Sequence, residues 1–348
     1  MILSAYTSEL LDDIERRIDS EVEEDYYAQW KSFWGGGFKG PVFRPMRKSV
    51  TPAGIALKNV HINDALHDTE LMLDFELEGL SRKLSRPSDV LGIRANYGTG
   101  IISSMFGAQI FEMPRENKTL PTTRSFNDSD KIRDLLDRGV PSLTAGFGGD
   151  VLNFGEYCSE IFEKYPKIKK YVRIYHPDTQ GPLDIAELLW GGEMFYEMYD
   201  DPDFVHDTLR LITDTYKAFL DKWYSIVPKE RELSVHWNTM HRGNIMIRLD
   251  SAMNISCDFY NEFSKPYDKE LFDYFGGGCL HFCGRGDHYI ESACEIESML
   301  GFNLSQPHLN DMKTIFSAAE KGGKRILSLR DAEEHTRICE AKCGIVHG

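Results

Sequence analysis

The 348-residue chain is short of the features that mark secreted, membrane-spanning or nucleic-acid-binding proteins. Its 7 cysteines (Cys158, Cys257, Cys279, Cys283, Cys294, Cys339, Cys343) are odd in number and scattered, which argues against the disulfide framework of small secreted domains. No apolar run approaches the ~20 residues that a bilayer-spanning helix requires. Met1 to Glu9 lack the basic and apolar stretches of a secretory leader, so a cytoplasmic location with reduced thiols is expected. Positive charge is also scarce: 40 Lys and Arg face 55 Asp and Glu, a formal net charge of −15. A field of that sign repels nucleic acid and anionic membrane, and neither is expected as a partner. No Gly-x-Gly-x-x-Gly follows the first expected strand, and Gly146-Phe-Gly-Gly149 lacks the Lys-Ser/Thr of a phosphate-binding loop. Internal repeats and low-complexity tracts are missing.

What is present is ample core material, 41% hydrophobic residues, in two patterns. Residues 7–30 read as an acidic amphipathic helix, with Leu11, Ile14, Ile18 and Val22 at helical spacing, ended by Trp34 and Gly35-Gly36-Gly37. The basic, proline-interrupted segment 38–51 reads as a loop. A second helix is expected over 64–83, ahead of the breaker Arg86-Pro87-Ser88. From residue 88 onward, short apolar runs alternate with helical stretches such as 201–226. The expected strands are 90–94, 108–113, 170–175, 233–237, 278–282, 301–305, 324–329 and 343–347. Eight strands, most followed by a helix, predict a (β/α)₈ TIM barrel over 88–348, with an N-terminal helical extension over 1–87 packing on it.

In such a barrel, chemistry gathers where strands end. Asn96, Tyr97, Gln180 and His241 follow apolar runs and are candidate substrate-binding residues. Gln306, His308 and His347 occupy similar places, whereas His61, His67, His206 and His335 fall on expected helices. The sharpest feature is His281-Phe-Cys283-Gly284, directly after the run Gly278-Cys-Leu. Side chains two apart on a strand share a side, so an imidazole and a thiol converge there. These are two of the groups that Zn²⁺ prefers, and two are too few to close a structural site.

Ordered motifs over 88–348 resemble the uroporphyrinogen decarboxylase superfamily. They are Gly181-Pro-Leu-Asp-Ile-Ala-Glu-Leu-Leu-Trp-Gly-Gly-Glu193, Met198-Tyr-Asp-Asp-Pro202 with Phe204-Val-His206, and Ser256-Cys-Asp-Phe-Tyr-Asn-Glu-Phe-Ser-Lys-Pro-Tyr267. His281-Phe-Cys283-Gly284 is similar to the His-x-Cys-Gly of its zinc methyltransferase branch. That resemblance implies a (β/α)₈ barrel in which His281 and Cys283 hold zinc. It further implies a methyl group moved between a corrinoid (cobalamin), carried on a partner protein, and a thiol such as coenzyme M or a related acceptor. The branch takes its third ligand from a Cys after the last strand. Here Cys343 lies before Gly344-Ile-Val-His-Gly348, at the start of the last expected strand, and Cys343, His308 and His347 are the candidates, with Cys339 behind them. Two alternatives accompany this reading: a decarboxylase of the uroporphyrinogen type, or a noncatalytic member that binds a tetrapyrrole or corrinoid. The Arg-Gln-Ala-Gly-Arg motif and catalytic Asp of true decarboxylases are not found, and the Tyr expected in the Gly-Pro helix is replaced by Leu188 or a neighbour. For an anionic acceptor, Arg94, Arg242 and Arg285 lie near expected strand ends.

Overall fold

The structure is a computed structural model that describes residues 2–230 and 232–348. Its helices follow the apolar spacing, with breaks where short polar residues can cap. The expected 7–30 helix is two helices, Ala5–Arg17 and Ser20–Trp34. Asp19 between them accepts hydrogen bonds from the backbone N–H groups of Glu21 and Val22, which starts the second. Leu10, Leu11, Ile14 and Ile18 are buried. Likewise, the 64–83 expectation resolves into Ile62–Ala65 and Thr69–Lys83, divided by the N-cap Asp68. The longest helix is Pro202–Ile226, which Asp201 caps.

Six parallel strands form one sheet, in the order Val42–Phe43, Val346–His347, Arg325–Ile326, Met299–Leu304, Gly278–Phe282, Ile245–Arg248. A separate parallel pair joins Gly92–Ile93 to Arg173–Ile174. Beyond that pair the chain reaches the large sheet through a parallel bridge between Gln180 and Arg248. The architecture is therefore mixed α/β around a parallel sheet. Among the described residues, no helix is long and apolar enough to cross a membrane.

Three expectations about strands are corrected. The segment 38–51 is not only loop: Val42–Phe43 is an edge strand, so the first 87 residues contribute to the sheet as well as helices. Its two residues are too few to show a period, and Pro41 and Pro45 flank them. They are held by packing, with Phe43 stacked on Phe33 at 4.5 Å and edge-on to Trp30 at 5.1 Å. Nearby basic residues are paired, Arg44 with Glu333 and Arg47 with Glu23. Second, Gln109–Phe111 and Ser234–His236 lie outside the large sheet, each pairing antiparallel with its neighbour, Thr122–Arg124 and Thr239–His241. Third, Ile245–Arg248 is a sheet strand that the apolar pattern did not single out.

The sheet buries both faces with different partners. Ile247, Leu280, Phe302, Ile326 and Val346 share one register row and join the core that contains the helices. Met246, Cys279, Leu327 and Phe43 join a second cluster instead, with Val90, Tyr175, Trp30, Phe33 and Trp34. The hairpin 234–241 fills this second side through Val235 and Met240. Trp34 donates its indole N–H to the Met240 carbonyl at 2.9 Å. The aromatic residues at the end of the second helix are thus internal.

Candidate metal centre

The site begins with strand register. Arg248 is level with His281, and His281 with Asn303, so the three share a row on the hairpin side. Two residues further along each strand come Asp250, Cys283 and Ser305, which the period of 2 places on that same side. Gly284 then turns the chain away with φ +75°; a Cβ there would meet the Met253 sulfur at 2.5 Å. This accounts for the glycine that follows Cys283.

The second row is tightly bonded. Cys283 donates its backbone N–H to Asp250 Oδ1 at 2.7 Å. Its Sγ lies 3.4 Å from His281 Nε2 and 3.4 Å from Ser305 Oγ. One donor atom from each of Asp250, His281 and Cys283 falls within 4.8 Å of the others. Asp184 accepts hydrogen bonds from the backbone N–H groups of Asp250 and Ser251, both at 2.8 Å, which sets the loop that carries Asp250. The Gln306 amide oxygen accepts from Gly284 N–H at 2.5 Å.

Neighbours fix the His281 tautomer. Asn303 donates its amide NH₂ to the Leu327 carbonyl at 2.7 Å, so its amide oxygen is the atom that faces His281. That oxygen lies 2.5 Å from His281 Nδ1, which must therefore carry the proton. Nε2 is left with its lone pair directed towards Cys283, as in a metal-binding imidazole with an oriented outer partner. Burial lowers the proton affinity of His281, against the nearby carboxylate of Asp250. Burial raises the Cys283 thiol, and Asp250 adds to this. Without a cation the pair is a neutral imidazole beside a thiol. With one, an imidazole nitrogen, a thiolate and a carboxylate would balance a charge of +2, which makes this donor set fit zinc.

Under the site lies the tip of the hairpin. Trp237 adopts φ 51°, rare for a bulky residue, and sets its ring edge-on to His281 at 4.6 Å. The Arg248 guanidinium lies 4.6 Å over that ring. Arg248 and Arg94 both pair with Asp178, which also accepts from His236 at 2.9 Å. Burial alone would raise Asp178, but the two guanidinium groups and His236 outweigh it and hold the carboxylate well below its usual range. Burial keeps His236 neutral.

Of the expected metal ligands, the structure brings His281 and Cys283 together and leaves the others elsewhere. Cys343 is exposed and three residues before Val346. Val346 is level with Leu280 across the sheet, so Cys343 sits near the opposite strand ends from Cys283. Their separation along the strands is on the order of 20 Å, at ~3.3 Å per residue. His347 is level with His281 but two strands intervene, and it packs against Trp30 at 4.6 Å while accepting from Ser328 N–H. His308 is exposed on the single turn Pro307–Leu309. Cys339 follows the helix Ala332–Ile338.

The expected substrate-binding residues also divide. Tyr97 is buried against Phe147, and His241 is buried in the hairpin with its Nδ1 bonded to the Arg242 carbonyl. Asn96 bonds Glu76 at 3.0 Å and lines a separate cavity of about 440 Å³. Gln180 alone lines a cleft that also reaches Asp250. Asp250 itself went unrecognised in the sequence. Arg248-Leu249-Asp250 repeats the two-apart pattern of His281-Phe282-Cys283, but only knowledge that 245–248 is a strand makes it visible. No family model matches the chain, and neither does any curated protein.

Proposed function

We propose that this chain is a zinc-dependent methyltransferase that moves a methyl group between a corrinoid, held by a partner protein, and a thiol or related acceptor. The observation that carries the reading is the convergence of His281 Nε2, Cys283 Sγ and the Asp250 carboxylate at adjacent strand ends, with the His281 lone pair already directed inward. Three protein ligands leave one tetrahedral position for a substrate. A bound zinc would hold an entering thiol as its thiolate near neutral pH. A corrinoid donor would supply the methyl group and keep the electron pair of the broken bond, the entering sulfur would accept the methyl group, and the thiol proton would pass to solvent.

The residues around the centre have separable tasks. His281, Cys283 and Asp250 supply donor atoms, Asn303 fixes the imidazole, and Asp184 holds the loop bearing Asp250. Trp237 and Arg248 wall the hairpin side. The choice of methyl transfer and of a corrinoid donor rests on the His-x-Cys-Gly resemblance; the geometry supports an open metal site. We further propose that the sheet closes as a (β/α)₈ barrel. In support, the 173–180 segment bridges Arg248 at one edge. At the other edge, past Val42–Phe43, Arg47 donates its backbone N–H to the Pro87 carbonyl, leading to the strand Gly92–Ile93.

Elemental analysis of purified protein tests the centre, and methyl transfer from methylcobalamin to a thiol panel tests the activity. About one zinc per chain is expected, lost in Cys283→Ala and in Asp250→Ala, with transfer abolished by a chelator and restored by zinc. Full transfer by zinc-free protein would overturn the proposal.

A further inference from the structure

The cleft beside Asp250 carries information about the thiol. It encloses about 550 Å³ and opens between the 181–192 segment, the 250–251 loop and the stretch 123–127. Hydroxyls of Thr99 and Ser125 line it, together with Gln180, Asp184, Glu187 and Asp250, and among the described residues no Lys, Arg or His does. Two of its three carboxylates are already engaged. Asp184 accepts two backbone N–H groups, and Asp250 accepts one and belongs to the candidate ligand set. Glu187, half-buried on the helix Pro182–Trp190, has no hydrogen-bond or ion-pair partner for its carboxylate among the described residues. Gln180 is 5% exposed, and its amide oxygen has no hydrogen-bond partner among the described residues. A buried polar side chain without a partner costs roughly 1–3 kcal/mol, so a ligand with a polar head is favoured beside Gln180, and the carboxylates set the sign of its charge. The interior guanidinium groups of Arg94 and Arg248 share Asp178, and neither lines the cleft.

Resting on the proposed open metal site, we infer that the cleft selects a small cationic thiol, with its positive head against Glu187 and its sulfur at the position beside Asp250. Anionic thiols, sulfonated or carboxylated, are disfavoured, because among the described residues the charged side chains of the lining are all carboxylates. The recognition is electrostatic and by hydrogen bonding, and a net charge of −15 for the whole chain acts in the same direction.

Cobalt(II)-substituted protein provides the test, since a second thiolate, added to that of Cys283, raises the near-ultraviolet charge-transfer absorption independently of any methyl transfer. Thiocholine and 2-mercaptoethanesulfonate are matched probes with tetrahedral heads of opposite charge. Thiocholine is expected to bind about ten-fold more tightly, a difference of the size that one half-buried ion pair supplies. Glu187→Gln should shrink that preference to about three-fold or less while retaining cobalt, and Glu187→Lys should reverse it. Tight or equal binding of the sulfonate by wild-type protein would overturn the inference and leave the metal site standing. A preference unchanged in both Glu187 variants would overturn it as well, by removing the cleft as its source. Protein that takes up no cobalt would overturn the metal site and the inference together.

Discussion

Asn303 shows how a residue outside the donor set can govern it. Its amide has two jobs, giving a hydrogen to the Leu327 carbonyl and receiving one from His281 Nδ1. The bond to the Leu327 carbonyl fixes the amide orientation, and the bond from His281 then fixes which imidazole nitrogen has the free pair. Asn303→Leu removes the acceptor and keeps a side chain of similar size. Zinc affinity should fall by about 10–100-fold, the usual effect of losing an outer-shell partner. Asn303→Asp, which retains an acceptor at that position, should recover much of it. Competition against a chromophoric chelator reads both, and an Asn303→Leu protein with wild-type affinity would show that the tautomer is set elsewhere.

Elements were legible from the sequence in proportion to how local their cause is. The helices are written in apolar spacing and in caps such as Asp19, Asp68 and Asp201, and they lie close to where the pattern put them. His281 and Cys283 were legible for the same reason, because a period of 2 acts within one strand. Asp250 was not, since its role depends on the register of Ile245–Arg248 against Gly278–Phe282, a pairing between distant segments. Alternation also cannot name a strand's partner, so 233–237 was read as a sheet strand although its ladder is with 239–241. The two-residue strand Val42–Phe43 illustrates the limit, being created by Phe33, Trp30 and the Val346–His347 edge. Its packing yields a prediction. A fragment of residues 88–348 would lose that strand together with Trp30, Phe33 and Trp34 from the hairpin-side cluster. Such a fragment should lack a cooperative urea transition and near-ultraviolet circular dichroism. Within the full chain, Phe43→Ala should cost about 3–5 kcal/mol in the same assay.

Across the whole molecule, buried carboxylates pull the pH dependence of stability in opposite directions, and Asp268 isolates one of them. It is 1% exposed; Ser264 donates to one oxygen at 2.8 Å, and the other oxygen has no partner among the described residues. Burial pushes its pKa up to about 7, whereas an unfolded Asp titrates near ~3.9. The folded state thus holds a proton that the unfolded chain releases. Its stabilising effect is complete below pH ~4, declines as pH rises towards 7, and beyond that the buried charge remains as a fixed cost. Asp178 has the reverse sign: held low by Arg94 and Arg248, it contributes above the ordinary carboxylate range and loses that contribution as acid protonates it. The Asp178 effect falls at lower pH, but Asp74, raised by burial to about 6, and Asp184, raised by burial to about 8, titrate near Asp268, so a difference measurement is required. Asp268→Asn keeps an acceptor for Ser264 and removes the titration. Its stability relative to wild type should therefore grow between pH 5 and 8 by on the order of 3 kcal/mol, at ~1.4 kcal/mol per pK unit. Urea unfolding of both proteins across that range checks it. A difference that stays flat with pH would mean that Asp268 is ionised throughout, with its partnerless oxygen solvated in a way the packing does not provide.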